Sequence, residues 1–201
     1  MKNSTNISKY KRLAPVYDII FGKFFIKGRK RAISMLNLNR DDKILMIGVG
    51  TGQDLNLLPF ECFVTGIDIS DAMLSKAKEK TRDRNVNLLN MNAERLEFED
   101  ESFDFAILNL VLSVVENPRE VVCEALRVIK EDGEILIFDK FIENNSKVSI
   151  LRKLLNKVTS IIGTDINRCF EDITDGLPIC IIKDEPSMFN GNYRIILLKK
   201  S

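Results

Sequence analysis

Three glycines, Gly48, Gly50 and Gly52, stand at alternate positions in the string ILMIGVGTGQD, and one acid, Asp68, follows 20 residues after the first of them. The apolar ILMI reads as a strand. Glycines at its end open a turn whose backbone a ligand can approach closely, because no Cβ intervenes and positive φ carries little strain. Asp68 closes a second apolar run, FVTGID. A carboxylate at the end of a neighbouring strand can accept hydrogen bonds from both hydroxyls of a ribose lying across the sheet. Together the two features describe a site for an adenosine-bearing cofactor. Separately, each has a plain structural reading, as a strand-to-helix turn and as a helix-capping acid. The dinucleotide pattern G-x-G-x-x-G is not completed, since Gln53 occupies its last position.

Other chemistries are disfavoured by residue types. The chain has no histidine, and its four cysteines, Cys62, Cys123, Cys169 and Cys180, form no CxxC pair. A zinc site or a Ser-His-Asp engine therefore lacks its parts, and no metal is expected. Met1 to Tyr10 is polar and unlike a secretory leader, so reduced thiols and a cytoplasmic protein are expected. No apolar run approaches the roughly 20 residues that span a bilayer, and any membrane contact would be peripheral, at the inner surface.

The elements that position the glycines and Asp68 alternate in type. Short apolar runs at Lys43–Gly48, Phe63–Asp68, Val86–Met91, Phe103–Asn109 and Glu134–Asp139 read as strands. Helical patterns fall at Gly52–Leu58, Ser70–Arg82 and Pro118–Ile129, with Ser70 and Asp71 as natural caps and Asp132-Gly133 as a turn. A further amphipathic helix is predicted over Ser146–Gly163, and two closing runs, Pro178–Ile182 and Tyr193–Leu198, predict an antiparallel pair at a sheet edge. The 201 residues, 45% of them apolar, have room for one core, so a single domain over 1–201 is expected. Net charge is only +1, yet residues 1–40 carry ten Lys or Arg against the single Asp18. That opening stretch reads as a basic helical arm or lid, broken near Pro15, ahead of a core over 41–201. It is either a solvated face or a surface that meets something anionic.

Read in order, GVGTG, VTGIDIS, NAERLEFEDESFDFA and ALRVIKEDGEILI resemble the class I S-adenosylmethionine-dependent methyltransferases over nearly the whole chain. The resemblance implies a Rossmann-like, doubly wound seven-stranded α/β sheet of order 3-2-1-4-5-7-6, with strand 7 antiparallel. It implies S-adenosyl-L-methionine as cofactor. Gly48, Gly50 and Gly52 would surround its methionine portion, Asp68 would hold the ribose, and Ile69 would pack on adenine. Asn92 would take the adenine amine, Ala93 the ring edge through its backbone, and Asn109 would sit beside the sulfonium. Two departures stand out: Met46 replaces a usual acid and Asn92 a common Asp.

A sulfonium is an activated donor, so the protein's task would be alignment and the exclusion of water. An amine acceptor must be neutral to attack, and without histidine its proton must leave to water, Asp, Glu or Tyr. Tyr17 and Tyr10 are candidates beside the sulfonium, and Tyr17 also for binding the cofactor; equally, both rings could simply anchor the arm. The arm YKRLAPVYDIIFGKFFIKGRKRAI, with RKLLNKVTSIIGTDINRCFEDI, more loosely resembles bacterial phospholipid N-methyltransferases acting on phosphatidylethanolamine. Phe21, Phe24 and Phe25 interleave with Lys23, Lys27, Arg29, Lys30 and Arg31, a pattern suited to an anionic interface. Arg29 and Arg168 are candidates for gripping a substrate phosphate. The alternatives are a quinone or small-metabolite methyltransferase, whose arm is a lid, and a non-catalytic cofactor-binding module. A nucleic-acid acceptor is disfavoured, because NLVLSV stands where an NPPY-like string would be.

Overall fold

The computed structural model describes residues 23–81, 84–142, 165–189 and 191–201. Tyr10, Tyr17, the first part of the basic arm and the helix expected over Ser146–Gly163 lie outside the described residues.

Seven strands form one sheet: β1 (Lys43–Ile47), β2 (Phe63–Asp68), β3 (Val86–Asn90), β4 (Phe103–Asn109), β5 (Ile129–Lys140), β6 (Ile179–Met188) and β7 (Tyr193–Lys200). Their order is β3-β2-β1-β4-β5-β7-β6. The first five run parallel, and β7 is antiparallel to both of its neighbours. This is the sheet implied by the resemblance, with its reversed seventh strand.

Both faces are covered, because the two side-chain sets of each central strand alternate. Leu45 and Ile47 of β1 point into one core with Val121, Val122, Ala125 and Phe170. Ile44 and Met46 point into the other, with Phe25, Ala32, Ile33 and Phe138. The helices α1 (Lys23–Ile33) and α2 (Asp71–Lys78) cover the second face, and α3 (Pro118–Val128) and α4 (Phe170–Thr174) the first. In α3 the buried Val121, Val122, Ala125 and Leu126 fall at the expected helical spacing, behind a proline at its start. Gly28 lets α1 lie close on the sheet, since a Cβ there would meet the Phe138 ring at 2.5 Å.

Several boundaries differ from expectation. The helix expected over Gly52–Leu58 is only a 3-10 turn, Leu55–Leu57, and Leu58 is extended with ψ 150°. Pro59 follows it, and a residue before proline avoids the helical region. The helix expected to reach Arg82 ends at Lys78, where tighter three-residue bonds take over, Lys80 N–H to Ala77 O at 2.9 Å and Thr81 N–H to Lys78 O at 3.3 Å. Asp132-Gly133 does not precede β5 but lies within it. There the strand advances from Ile129 to Glu134 while β4 advances only from Phe103 to Phe105, a bulge. Likewise the run expected to end at Ile182 continues as strand through KDEPSM to Met188, with irregularities at Ile181/Lys183 and Pro186/Met188. An edge strand tolerates such a proline.

Candidate functional site

The carboxyl ends of the parallel strands frame a cleft of about 890 Å³, counting space open to solvent. This is the crevice where open α/β sheets bind ligands, at the point where strand order reverses about β1. The glycine turn forms its floor. Gly48 has φ +69° and a Cβ there would strike Val111 at 2.5 Å, so only glycine fits. Gly50 has φ +55°, and the atom nearest to a Cβ there would be 4.0 Å away, in open space. Both line the cleft. Gly52 does not. A Cβ on it would meet Leu55 at 2.9 Å and the Ala77 backbone at 3.0 Å, so this glycine serves the packing of α2. Of the three glycines expected around the cofactor, it is the one set back from the cleft lining.

Asp68 is held by the backbone. Gly50 N–H donates to one carboxylate oxygen at 2.9 Å and Ser70 N–H to the other at 2.9 Å. Burial pushes its pKa up to about 6, although the N–H groups of Ser70, Gly50 and Ile69 pull the other way. Among the described residues no cation pairs with it. Each oxygen keeps acceptor capacity for a hydroxyl group. Ile69, Asn92 and Ala93 line the same end of the cleft. Asn92 is exposed at the mouth, and its amide oxygen already accepts the Glu94 N–H at 3.0 Å, so its expected role is shared with a local turn.

At the opposite end three side chains from distant positions meet. Asp54 accepts from Arg29 Nη1 at 3.2 Å and from Asn109 Nδ2 at 3.0 Å, and all three are buried and line the cleft. Arg29 is thus not a surface residue awaiting a phosphate but a 6% exposed partner of Asp54, carried inward by α1. Asn109 stands at the end of β4, as the sequence implied. Asp54 was missed, because its stretch read only as the start of a helix. Neighbouring Gln53 lines the cleft as well.

Past Asn109 the chain turns sharply. Leu110 has φ +62°, a conformation uncommon for a branched apolar residue, and donates its N–H to Phe138 O at 2.7 Å. The loop that follows supplies Val111, Val114 and Val115 as an apolar wall. It is tied from behind. The buried Asp139 accepts the Ser113 N–H at 2.9 Å, and Arg168 donates to the carbonyls of Leu112 and Val115. Arg168, expected as a phosphate candidate, is placed here as a clip on this wall.

Comparisons with known proteins agree with this geometry. A family model described as a methyltransferase domain matches residues 45–137. Over 195 residues the chain is 31% identical to the phosphatidylethanolamine N-methyltransferase of Cereibacter sphaeroides, covering 95% of both. Over 141 residues it is 29% identical to the demethylmenaquinone methyltransferase of Listeria welshimeri, covering 65% of this chain and 60% of that one. The fold matches geranyl diphosphate C-methyltransferase of Streptomyces coelicolor A3(2), in a structure with Mg2+, geranyl diphosphate and S-adenosyl-L-homocysteine. The TM-score is 0.74 at 13% identity, covering 87% of this chain and 80% of that one.

Proposed function

This chain belongs to the S-adenosylmethionine-dependent methyltransferases, and on that footing we propose that its methyl acceptor is the amine of a phospholipid headgroup of the phosphatidylethanolamine kind. The residues present fit the cofactor. Open space beyond Gly50 forms a cradle, an Asp68 without a cationic partner among the described residues suits a ribose, and polar side chains converge at the far end. Bound there, S-adenosylmethionine supplies a sulfonium methyl already activated for displacement.

The chain's own residues then bind and align. Asp68 holds the sugar hydroxyls, while Ile69, Asn92 and Ala93 border the adenine. Gly48 and Gly50 allow close backbone approach, and Asn109 with Leu110 defines the edge over which an acceptor enters. The wall of Val111, Val114 and Val115 excludes water, which strengthens every electrostatic contact inside. The acceptor amine must shed its proton before attack, and with no histidine in the chain that proton passes to water, a carboxylate or a phenol. Tyr17 and Tyr10 are proposed for that neighbourhood.

The observation carrying the phospholipid reading is the reach of the alignment. Likeness to the phosphatidylethanolamine enzyme runs through 95% of both chains and so includes most of the basic arm, whereas likeness to the demethylmenaquinone enzyme covers 65% of this chain. Phe24, 50% exposed, stacks at 5.4 Å on Phe189, 51% exposed, beside the exposed Lys27 on α1. An apolar pair flanked by cations suits the boundary of an anionic bilayer. None of the described helices is long and apolar enough to cross one. The demethylmenaquinone relative supports a second reading, methylation of a quinone or other small metabolite.

Methyl-labelled cofactor incubated with the protein and either phosphatidylethanolamine vesicles or a soluble-metabolite pool distinguishes the two. Label in the extracted phospholipid is the expected outcome. Label confined to the soluble pool or to quinones overturns the lipid reading.

A further inference from the structure

Two buried polar atoms at the β4 end of the cleft have no hydrogen-bond partner among the described residues, Nε of Arg29 and Oδ1 of Asn109. Folded proteins seldom leave such atoms unpaired, because a buried donor or acceptor forfeits water without replacement. Both residues are more than nine-tenths buried, and both flank the Asp54 carboxylate. The donor on a guanidinium calls for an anionic oxygen. The acceptor beside a carboxylate calls for an N–H on a cation. An α-amino acid, with ammonium and carboxylate on one carbon, presents both at once.

Placement agrees with this. Asp68 ends β2 on one side of β1, and Asn109 ends β4 on the other. A ligand whose sugar lies at Asp68 and which crosses the glycine turn brings its far end to Arg29, Asp54 and Asn109. β1 itself contributes no charge there. Met46 is 2% exposed and packed in the core beneath α1. The counter-charge for an ammonium must come from another element, and Asp54 is the carboxylate that the cleft offers at this end.

We infer that Arg29, Asp54 and Asn109 form the binding pocket for the α-amino-carboxylate end of the cofactor. Arg29 faces the carboxylate, and Asp54 with Asn109 faces the ammonium, replacing an acid that β1 lacks. Because the pocket selects a zwitterion, the phosphoethanolamine headgroup of the proposed acceptor shares its chemistry, and the experiment separates the two sources.

Isothermal titration at neutral pH compares S-adenosylhomocysteine, 5′-methylthioadenosine, which lacks the amino-acid end, and phosphoethanolamine. In Asp54→Asn, S-adenosylhomocysteine is expected to bind about 10- to 100-fold more weakly, the range for losing a hydrogen bond to a charged group. Methylthioadenosine is expected to stay within about twofold, since binding loss is confined to the removed contact. Asn109→Leu, which keeps the branched side-chain shape but removes both polar atoms, is expected to show the same selectivity. Retained methylthioadenosine affinity also reports an intact fold. Equal loss for both nucleosides, or no loss for either, overturns the assignment. So does phosphoethanolamine binding that depends on Asp54 while S-adenosylhomocysteine binding does not.

Discussion

The two ends of the cleft are built from different materials. At the β2 end, Asp68 is set by backbone N–H groups of Gly50 and Ser70, within contiguous strand-to-helix turns. At the β4 end, a carboxylate is set by side chains, with Arg29, Asp54 and Asn109 brought together from three separate elements. Backbone donors hold an acid without neutralising it, so Asp68 keeps its pairing capacity, while burial pushes its pKa up to about 6 against the pull of those donors. Of the side-chain donors to Asp54, Asn109 is neutral and Arg29 carries a charge of its own, so the β4 end presents both signs. One end is suited to neutral hydroxyls and the other to a zwitterion.

On that contrast, the largest effect comes from removing Asp68, the acid at the first end. Asp68→Ala is expected to weaken S-adenosylhomocysteine by about 100-fold or more, since two hydrogen bonds to a charged group are lost. Titration calorimetry checks it, and a change under tenfold would break the comparison. The pH dependence has a definite sign. Protonation near pH 6 removes acceptor capacity, so affinity of the wild-type protein falls as pH drops below about 6. The folded state of the unliganded protein binds this proton more tightly than the unfolded chain does. Asp68 therefore adds stability as pH falls from about 6 toward 3.8. Asp104 and Glu124, whose lowered pKa values reflect Lys130 and Arg127 beside them, do the opposite and lose their contribution on acidification.

A second test divides the glycine turn itself. Gly50→Val places a side chain in the open cradle at φ +55° and Gly52→Val drives one into α2 at φ +74°. Both substitutions meet about 1–2 kcal/mol of backbone strain. Only Gly52→Val adds overpacking of about 1–3 kcal/mol. Gly50→Val is thus expected to lower cofactor affinity more than tenfold, the scale of one lost close contact region. Gly52→Val is expected to lower Tm further, by about 2–4 °C for each additional kcal/mol. Thermal melts and titrations of the two proteins, measured together, would expose the reverse ordering if Gly52 were the cofactor's neighbour.

The same contrast explains what was legible in the sequence. The exact bounds of β2 and β4 and the position of Asp68 followed from short apolar runs and spacing, while strand order and the place of Asn109 were implied by the family resemblance. Backbone-made sites leave such local marks, because glycine is required where the chain turns at positive φ. Asp54 left none. Its importance arises only when α1 and β4 deliver Arg29 and Asn109 to it, a matter of tertiary placement. Arg29 and Arg168 were read as candidates for gripping a substrate phosphate, because sequence shows a charge but not its partner, yet each meets an internal partner. Gly52 carried the motif's pattern but answers to Ala77. Spacing alone does not say which side of a turn a glycine must clear.

Arg168 offers a subtler probe of the β4 end. It bridges the carbonyls of Leu112 and Val115, and Arg168→Met leaves both without that donor. An expected loss of about 1–3 kcal/mol in stability follows from unsatisfied carbonyls. Cofactor affinity is expected to change only about twofold to fivefold, because the wall loosens while Asp68 and Asp54 stay in place. A chemical-denaturation curve decides the matter. Unchanged stability together with a raised acceptor KM would return Arg168 to the role of a phosphate ligand.

The smallest effect on the cleft is expected from an aromatic pair outside its lining, Phe24 and Phe189. Phe189 has φ +52° and stacks on Phe24 in solvent. Asn tolerates that backbone conformation better than Phe, so Phe189→Asn is expected to leave Tm unchanged or slightly raised. Neither end of the cleft touches this ring, and titration with S-adenosylhomocysteine should be unaltered. Flotation with anionic vesicles is where the substitution should register, by about fivefold, if half of one ring's burial in lipid contributes about 1 kcal/mol. Pairing it with Lys27→Glu, which adds repulsion from the same surface, should deepen the loss as salt is lowered. Flotation indifferent to both changes, in a protein that still methylates phospholipid, would mean that the acceptor is drawn from the bilayer by another face. The contrast between the two ends of the cleft would stand, without an anchored edge beside it.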